Sequence, residues 1–244
     1  MFPFWSVQPA FIPWDFALIL SFLGVIVPWR GAVRIKRLLE QRAPGTAERL
    51  SLYRTTILFQ WLIVAVVVWR AFSRNLGFEE LGLTVSNQWR TAWIAVVLTA
   101  LLCGNQWASL RRVARFPETQ RGLLFTIAEK IAPRTPTEAI TFAALACTAG
   151  LSEEFLYRGF VLTVFARLIV NSALSSSIAA VLSSALFAAG HCYQGRKGLI
   201  TTFVVGMIFS GVRIWTGSLI PTVAAHIGID LVAGLVAAKF IQNG

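Results

Sequence analysis

The sequence predicts an all-α protein: a polytopic bundle of seven or eight transmembrane helices with its functional site in the C-terminal half. Hydrophobic residues make up 56% of the 244 residues and charged residues only 14%, whereas a typical soluble domain carries about 25% charged residues. Several windows of roughly 17 to 20 residues hold almost no charge, which is the length of a membrane-crossing helix. The only two histidines, His191 and His226, lie in or beside such windows.

Three membrane spans are predicted in the N-terminal region, residues 1–110. Their apolar cores run over residues 11–29, 55–72 and 89–110. A short amphipathic connector over 75–88 separates the second span from the third. This region contains no motif that points to chemistry, so we interpret it as N-terminal transmembrane helices only.

Two clusters of basic residues flank these spans. One lies within residues 30–54, and the other lies within a connector, 111–136, which we expect to form a helix in the membrane interface. Basic clusters beside apolar spans favour the cytoplasmic side and attract anionic lipid headgroups. We therefore interpret the net charge of +11 as a signal of topology and lipid contact, with no nucleic acid as a partner. The protein is expected in the cell membrane with both basic loops cytoplasmic.

The C-terminal core, residues 137–244, is predicted to hold the remaining spans. Thr137 is a plausible N-cap for a helix that runs to about residue 170. Because a straight span needs only about 20 residues, this helix is expected to tilt strongly or to break near Gly150. Helix counting places Glu153 in mid-span but His191 near a membrane face, so a break or a tilt would be needed to bring them together. Further spans are predicted over 173–190, 199–215 and 219–240, which gives seven spans, or eight if the long helix breaks.

The first pattern that points to chemistry is Glu153-Glu154 followed by Arg158. On a helix, Glu154 and Arg158 are i,i+4 neighbours in the favourable acid-first order. That pairing leaves Glu153, about 100° further round the helix, facing another direction. A surface ion pair is the ordinary interpretation of such a motif, but the apolar sequence on both sides favours a site within the membrane.

Two further patterns contain the histidines. Phe187 precedes His191 by four residues, and His226 precedes Asp230 by four. The second spacing stacks Asp230 on the same helix face as His226, where a carboxylate can orient an imidazole. Either pattern alone can be a structural polar pair. Ionisable residues within a membrane mark a functional site by default, however, and the three patterns together strengthen that interpretation.

Carboxylates and imidazoles without a strong nucleophile suit the hydrolysis of an amide by an activated water. A glutamate can act as general base for water, and imidazoles can bind the water, donate to a developing oxyanion or hold a metal. Other intramembrane chemistries lack their motifs here, because the sequence contains neither His-Glu-x-x-His nor Gly-x-Ser-Gly nor Gly-x-Gly-Asp.

In this order, over roughly residues 133–238, the three patterns resemble the CAAX protease and bacteriocin-processing family. The resemblance implies an all-helical intramembrane endopeptidase, related to the CAAX prenyl endoproteases, that cleaves a membrane-associated and in the CAAX case prenylated protein with a glutamate-activated water. Its catalytic residues would be the following: Glu153 as general base, Glu154, His191 to position the water, and His226 with Asp230 to stabilise the oxyanion. Arg158 and Phe187 would support them.

The prenyl-protease members have asparagine where this chain has Asp230. An ionised aspartate cannot donate to an oxyanion, so Asp230 is either protonated, or only orients His226, or helps to coordinate a metal. Family proteins are often labelled metalloproteases, and a divalent metal such as Zn²⁺ would have a ligand set of Glu153, His191, His226 and Asp230. A metal-free mechanism, with no cofactor, stays equally open.

The expected partners are membrane lipids and a peptide or lipidated protein substrate. Two other functions compete with the protease. Family members are associated with bacteriocin self-immunity, so the protein can be a non-catalytic membrane immunity or resistance scaffold of the same fold. Buried histidine and glutamate also suggest a proton-coupled transporter, although no paired broken helices are visible in the sequence.

Overall fold

Residues 12–40, 44–117, 120–169 and 174–236 are described by the computed structural model. Within these ranges the chain forms helices and connecting turns, with one isolated β-bridge between Leu83 and Ser218. The predicted all-α class is therefore confirmed. We number the main helices in chain order: α1 Trp14–Glu40, α2 Thr46–Ser73, α3 Gln88–Ala114, α4 Gly122–Ile131, α5 Pro136–Leu168, α6 Ser175–Gly190, α7 Gly195–Thr216 and α8 Ile220–Val236.

Five of these helices, α1, α2, α3, α5 and α7, are long and apolar enough to cross a membrane. Helices α6 and α8 are apolar but shorter, below 18 residues. These helices identify an integral membrane protein by length and composition. A total of seven spans would require α6 and α8 to cross as well, so the number seven or eight stays a prediction.

The described residues of the basic segment 30–54 are mostly helical, and those of the basic connector 111–136 are partly helical. Helix α1 continues to Glu40 and α2 begins at Thr46. No proline lies between Trp29 and Pro44 to end α1 earlier. Arg34 of α1 donates to Thr56 Oγ1 and to the carbonyl of Leu52 in α2, each at 2.9 Å. The predicted connector 111–136 contains the end of α3 and all of α4.

Helix α5 is continuous over 33 residues, so of the two predicted alternatives, a strong tilt or a break near Gly150, the break does not occur. Its hydrogen-bond pattern changes instead over Phe155–Val161, which is π-helical. Such segments widen the helix locally and are frequent at functional sites. The N-cap also differs from the prediction, since Thr135 rather than Thr137 accepts the N–H of Glu138, at 3.2 Å, with Pro136 at the first helical position, where proline is favoured.

Helix α5 is the central element of the bundle. Half of the residues in its most apolar window are buried, against 6% for α3. At one end, Glu138 of α5 accepts the guanidinium of Arg49 in α2, with Nε and Oε2 2.9 Å apart and both side chains buried. The core around its other half is formed by large apolar side chains: Phe16, Leu23, Val67, Leu76, Leu81, Phe155, Phe160, Val161 and Leu219.

The predicted connector 75–88 folds back onto the bundle and closes the end at which α8 begins. Leu81 is completely buried, and Glu80 accepts Nε of Arg167 at the end of α5, at 2.9 Å. The carbonyl of Gly82 accepts the N–H of Leu219 at 2.9 Å. Through these contacts the connector holds the start of α8 against the C-terminal part of α5.

Candidate active site

Helix α8 crosses α5 in close contact at Gly150. A Cβ atom at this position would lie 2.4 Å from Ile227 Cγ1 and 3.1 Å from the backbone nitrogen of Ile227. Only a residue without a side chain allows this approach. One turn further along α5, the same approach brings Glu154 opposite His226.

Replacing Gly150 with leucine is expected to push α8 away from α5. Overpacking of this kind costs about 1–3 kcal/mol of stability, and a displacement of about 1 Å can reduce a catalytic rate roughly 10²-fold. The measurements are thermal unfolding in detergent and peptide hydrolysis. Gly211→Leu on α7 is the control, because no atom lies within 4 Å of a Cβ built there. Equal behaviour of the two variants would refute the role of Gly150.

The predicted pair of Glu154 and Arg158 is present and fully buried. Arg158 Nη1 donates to Glu154 Oε1 at 3.0 Å, and Nδ1 of His226 lies 2.9 Å from the same oxygen. Since a carboxylate oxygen accepts, Nδ1 of His226 carries a proton, and Nε2 points away from Glu154. Glu154 thus orients His226. The partner expected for this role, Asp230, has Oδ2 3.8 Å from His226 Nε2, which is too long for a hydrogen bond.

Glu153 faces a different direction from Glu154, as the helix geometry predicts. Its Oε1 accepts Nε2 of Gln60 in α2 at 2.8 Å. Its Oε2 lies 3.9 Å from Nε2 of His191 and 3.8 Å from Nε2 of His226. This oxygen is buried and has no hydrogen-bond partner among the described residues. Three polar atoms from three helices therefore converge on one small volume.

His191 reaches this volume because α6 is short. The helix has 16 residues, fewer than the about 20 needed to cross a bilayer, and its end lies beside Glu153 in the middle of α5. Nδ1 of His191 lies 2.9 Å from the carbonyl oxygen of Phe187. Because a carbonyl only accepts, Nδ1 donates and Nε2 is left facing Glu153.

Phe187 holds the histidines and Arg158 together. The guanidinium of Arg158 lies 4.1 Å from the centre of the Phe187 ring, a cation–π distance. The same ring lies 4.7 Å from the ring centre of His191 and 6.1 Å from that of His226. Arg158 and Phe187 therefore touch the predicted catalytic residues and keep their spacing, which is the supporting position expected of them.

The residues proposed as metal ligands supply suitable donor types but are spaced too widely. Neighbouring ligands around tetrahedral zinc lie about 3.3 Å apart, whereas Glu153–His191, Glu153–His226 and His226–Asp230 measure 3.9, 3.8 and 3.8 Å. No group of three or more histidine, cysteine, aspartate or glutamate side chains in the described part of the chain could hold a metal ion. As positioned, these side chains do not form a closed metal site.

Gln60 is the site residue that sequence reasoning missed. It lies in the N-terminal region, far from the three motifs, and a single glutamine forms no motif. The available signal was that Gln60 is the one amide side chain within the second predicted span, 55–72. A buried amide in a membrane helix needs a polar partner, and that partner proves to be Glu153.

Comparisons with known proteins concern the segment that contains the three motifs. Residues 135–232 match the family model described as type II CAAX prenyl endopeptidase Rce1-like. An Escherichia coli protein described as an uncharacterized 24.3 kDa protein is 35% identical over 92 residues, which cover 37% of this chain and 41% of that protein. The chain thus spans well under half the length of this relative. No solved structure matches the chain.

Proposed function

We propose, from the match of residues 135–232 to the type II CAAX prenyl endopeptidase family model, that this integral membrane protein is an intramembrane endopeptidase. At the coarse level the family makes it a protease, and hence a hydrolase. The single observation that carries the finer proposal is the environment of Glu153. Its Oε2 has no hydrogen-bond partner in the described part of the chain and faces the Nε2 atoms of His191 and His226 at 3.9 and 3.8 Å.

In the proposed reaction, a water molecule binds between Oε2 of Glu153 and Nε2 of His191. Glu153 removes a proton from this water, and the water oxygen forms a bond to the carbon of the scissile peptide group. The proton then passes from Glu153 to the leaving nitrogen as the C–N bond breaks. The products are a new carboxyl terminus and a new amine.

His226 is proposed to stabilise the oxyanion that forms on the peptide carbonyl. Glu154 accepts a hydrogen bond from Nδ1 of His226 at 2.9 Å, which directs Nε2 toward the reacting carbonyl. Because Nε2 can donate to the oxyanion only when both ring nitrogens carry a proton, we propose that His226 acts as an imidazolium stabilised by the carboxylate of Glu154. A donor held in advance is worth most in a site that excludes water. Asp230 is proposed neither to orient His226, which Glu154 does, nor to donate to the oxyanion, since its Oδ2 lies 3.8 Å from Nε2 of His226. Its carboxylate is 35% exposed, so it lies at the open side of the site.

We propose that the substrate is a membrane-associated protein and, more specifically, a prenylated CAAX protein. A mostly apolar cleft of about 330 Å³, lined by Ala32, Ile35, Lys36, Leu39, Glu40 and Tyr193, lies beside the turn that follows His191. The rings of Tyr193 and His191 are 5.9 Å apart. The cleft is next to the basic end of α1, so we propose that the substrate arrives from the side of the basic segments, which we place in the cytoplasm, among anionic lipids.

Cleavage by the purified protein in liposomes tests the proposal. The substrates are C-terminal peptides with and without a lipid group, in heavy-oxygen water, followed by mass spectrometry. One heavy oxygen is expected in the new carboxyl terminus, and treatment with EDTA is expected to leave the rate unchanged because the four polar residues are spaced too widely for a metal. Failure to cleave any peptide would contradict the proposed function. A rate that EDTA abolishes and zinc restores would contradict the metal-free route.

A further inference from the structure

Glu153 receives one hydrogen bond from a residue outside the segment that matches the family. Gln60, near the middle of α2, donates from Nε2 to Glu153 Oε1 at 2.8 Å. The remaining amide oxygen of Gln60 is buried and has no hydrogen-bond partner among the described residues. The amide therefore has one protein partner in this region, and that partner is the proposed general base.

The hydrogen bond from Gln60 determines which oxygen of Glu153 is available to accept a proton from water. The two oxygens of a carboxylate are equivalent until one is held, and rotation of the side chain would exchange them. With Oε1 held by Gln60, Oε2 is the oxygen that faces both imidazoles. A lysine or arginine at position 60 would also hold Oε1, but its charge would pair with the carboxylate and weaken it as a base. A neutral amide holds the carboxylate while leaving its charge in place.

We propose that Gln60 is a positioning residue for Glu153, so that α2 completes an active site whose other members come from α5, α6 and α8. This inference rests on the proposed function. The inference adds to the active site a residue from the N-terminal region, 1–110, for which the sequence predicted only membrane helices. Groups that orient a reacting side chain typically change activity 10- to 100-fold when they are removed, by analogy with the outer partners of metal ligands.

The test compares Gln60→Leu with Gln60→Asn and with Trp61→Phe. Leucine and asparagine have nearly the same shape, but only asparagine keeps an amide donor. Trp61 is the next residue of α2, and its Nε1 donates to Thr148 Oγ1 of α5 at 3.3 Å. Trp61→Phe therefore removes another hydrogen bond between the same two helices without touching the site. Each variant is assayed for kcat and KM of peptide hydrolysis in liposomes and for thermal unfolding in detergent.

Gln60→Leu is expected to lower kcat about 10- to 100-fold with KM within about twofold of the wild type, and Gln60→Asn is expected to recover part of the loss. Trp61→Phe should behave like the wild type. A kcat of Gln60→Leu equal to that of Trp61→Phe would overturn the inference. If Gln60→Leu does not fold, a full wild-type kcat in Gln60→Glu, which keeps the shape but loses the amide donor, would overturn it instead.

The two proposals fail in different ways. If Glu153→Gln hydrolyses the peptides as fast as the wild type, the proposed function is wrong. If Glu153→Gln is inactive but Gln60→Leu and Gln60→Asn both keep the wild-type kcat, the proposed function stands and only the role of Gln60 is wrong.

Discussion

Glu153→Gln is expected to lower the rate of peptide hydrolysis by about 10²- to 10⁴-fold, the usual contribution of a general base. Glutamine has the shape of glutamate, and its amide oxygen can still accept the hydrogen bond that Gln60 donates to Oε1 at 2.8 Å. The site should therefore keep its geometry and lose only the group that accepts a proton from water. The measurement is single-turnover hydrolysis in liposomes, with thermal unfolding in detergent to show that the fold is kept.

The matched control is Glu79→Gln, which also replaces a glutamate with glutamine. Glu79 is exposed in the turn region between α2 and α3, and its side chain is not part of the site. This variant should hydrolyse the peptide at the wild-type rate. Wild-type activity in Glu153→Gln would remove Glu153 from the reaction, and a large loss in Glu79→Gln would show that the assay responds to charge alone.

Arg158→Met is expected to destabilise the protein by about 3–5 kcal/mol, because it leaves the buried carboxylate of Glu154 without its cationic partner. Arg158 and Glu154 are both completely buried, with Nη1 3.0 Å from Oε1. Unfolding of the variant, induced by heat or by denaturing detergent, gives the stability difference. The loss should include activity, since Glu154 also orients His226.

Two further variants make this prediction specific. Arg167→Met, further along the same helix, breaks a pair with Glu80 whose side chains are 34% and 24% exposed, and such a pair contributes only about 0–1 kcal/mol. The double variant Glu154→Gln with Arg158→Met removes both charges and should regain stability relative to Arg158→Met alone. An Arg158→Met protein as stable as Arg167→Met would refute the role of Arg158 in stabilising the buried carboxylate of Glu154.

The class of the protein could be predicted from the sequence because it depends on local composition. Apolar windows of membrane length and the scarcity of charge specify helices in a bilayer, however those helices pack against one another. The ends of the helices were harder to predict. Helix α1 extends to Glu40 because charged residues continue a helix once it leaves the apolar region, and nothing in the apolar pattern signals that.

The site was predictable where its geometry lies within one helix. The spacing of Glu154 and Arg158 is a property of the α-helix itself, and the pair is present. Of the two alternatives predicted for α5, a strong tilt or a break near Gly150, the break is absent. The glycine instead allows the close approach of Ile227 of α8, whose Cγ1 would lie 2.4 Å from an added Cβ. Glycine at a close crossing and glycine at a break look the same in a sequence.

The sequence by itself determined the membrane helices, the buried acid–arginine pair and the set of ionisable residues, because each follows from composition or from the periodicity of a single helix. Only the tertiary structure decided which carboxylate serves which imidazole. Glu154, and not Asp230, accepts the hydrogen bond from Nδ1 of His226. Gln60, from a helix far away in the sequence, donates a hydrogen bond to Glu153. The physical reason is that hydrogen bonds between helices depend on how closely two helices approach and on which of their residues lie at the crossing point. That geometry is set by small residues and helix lengths, which no local pattern encodes.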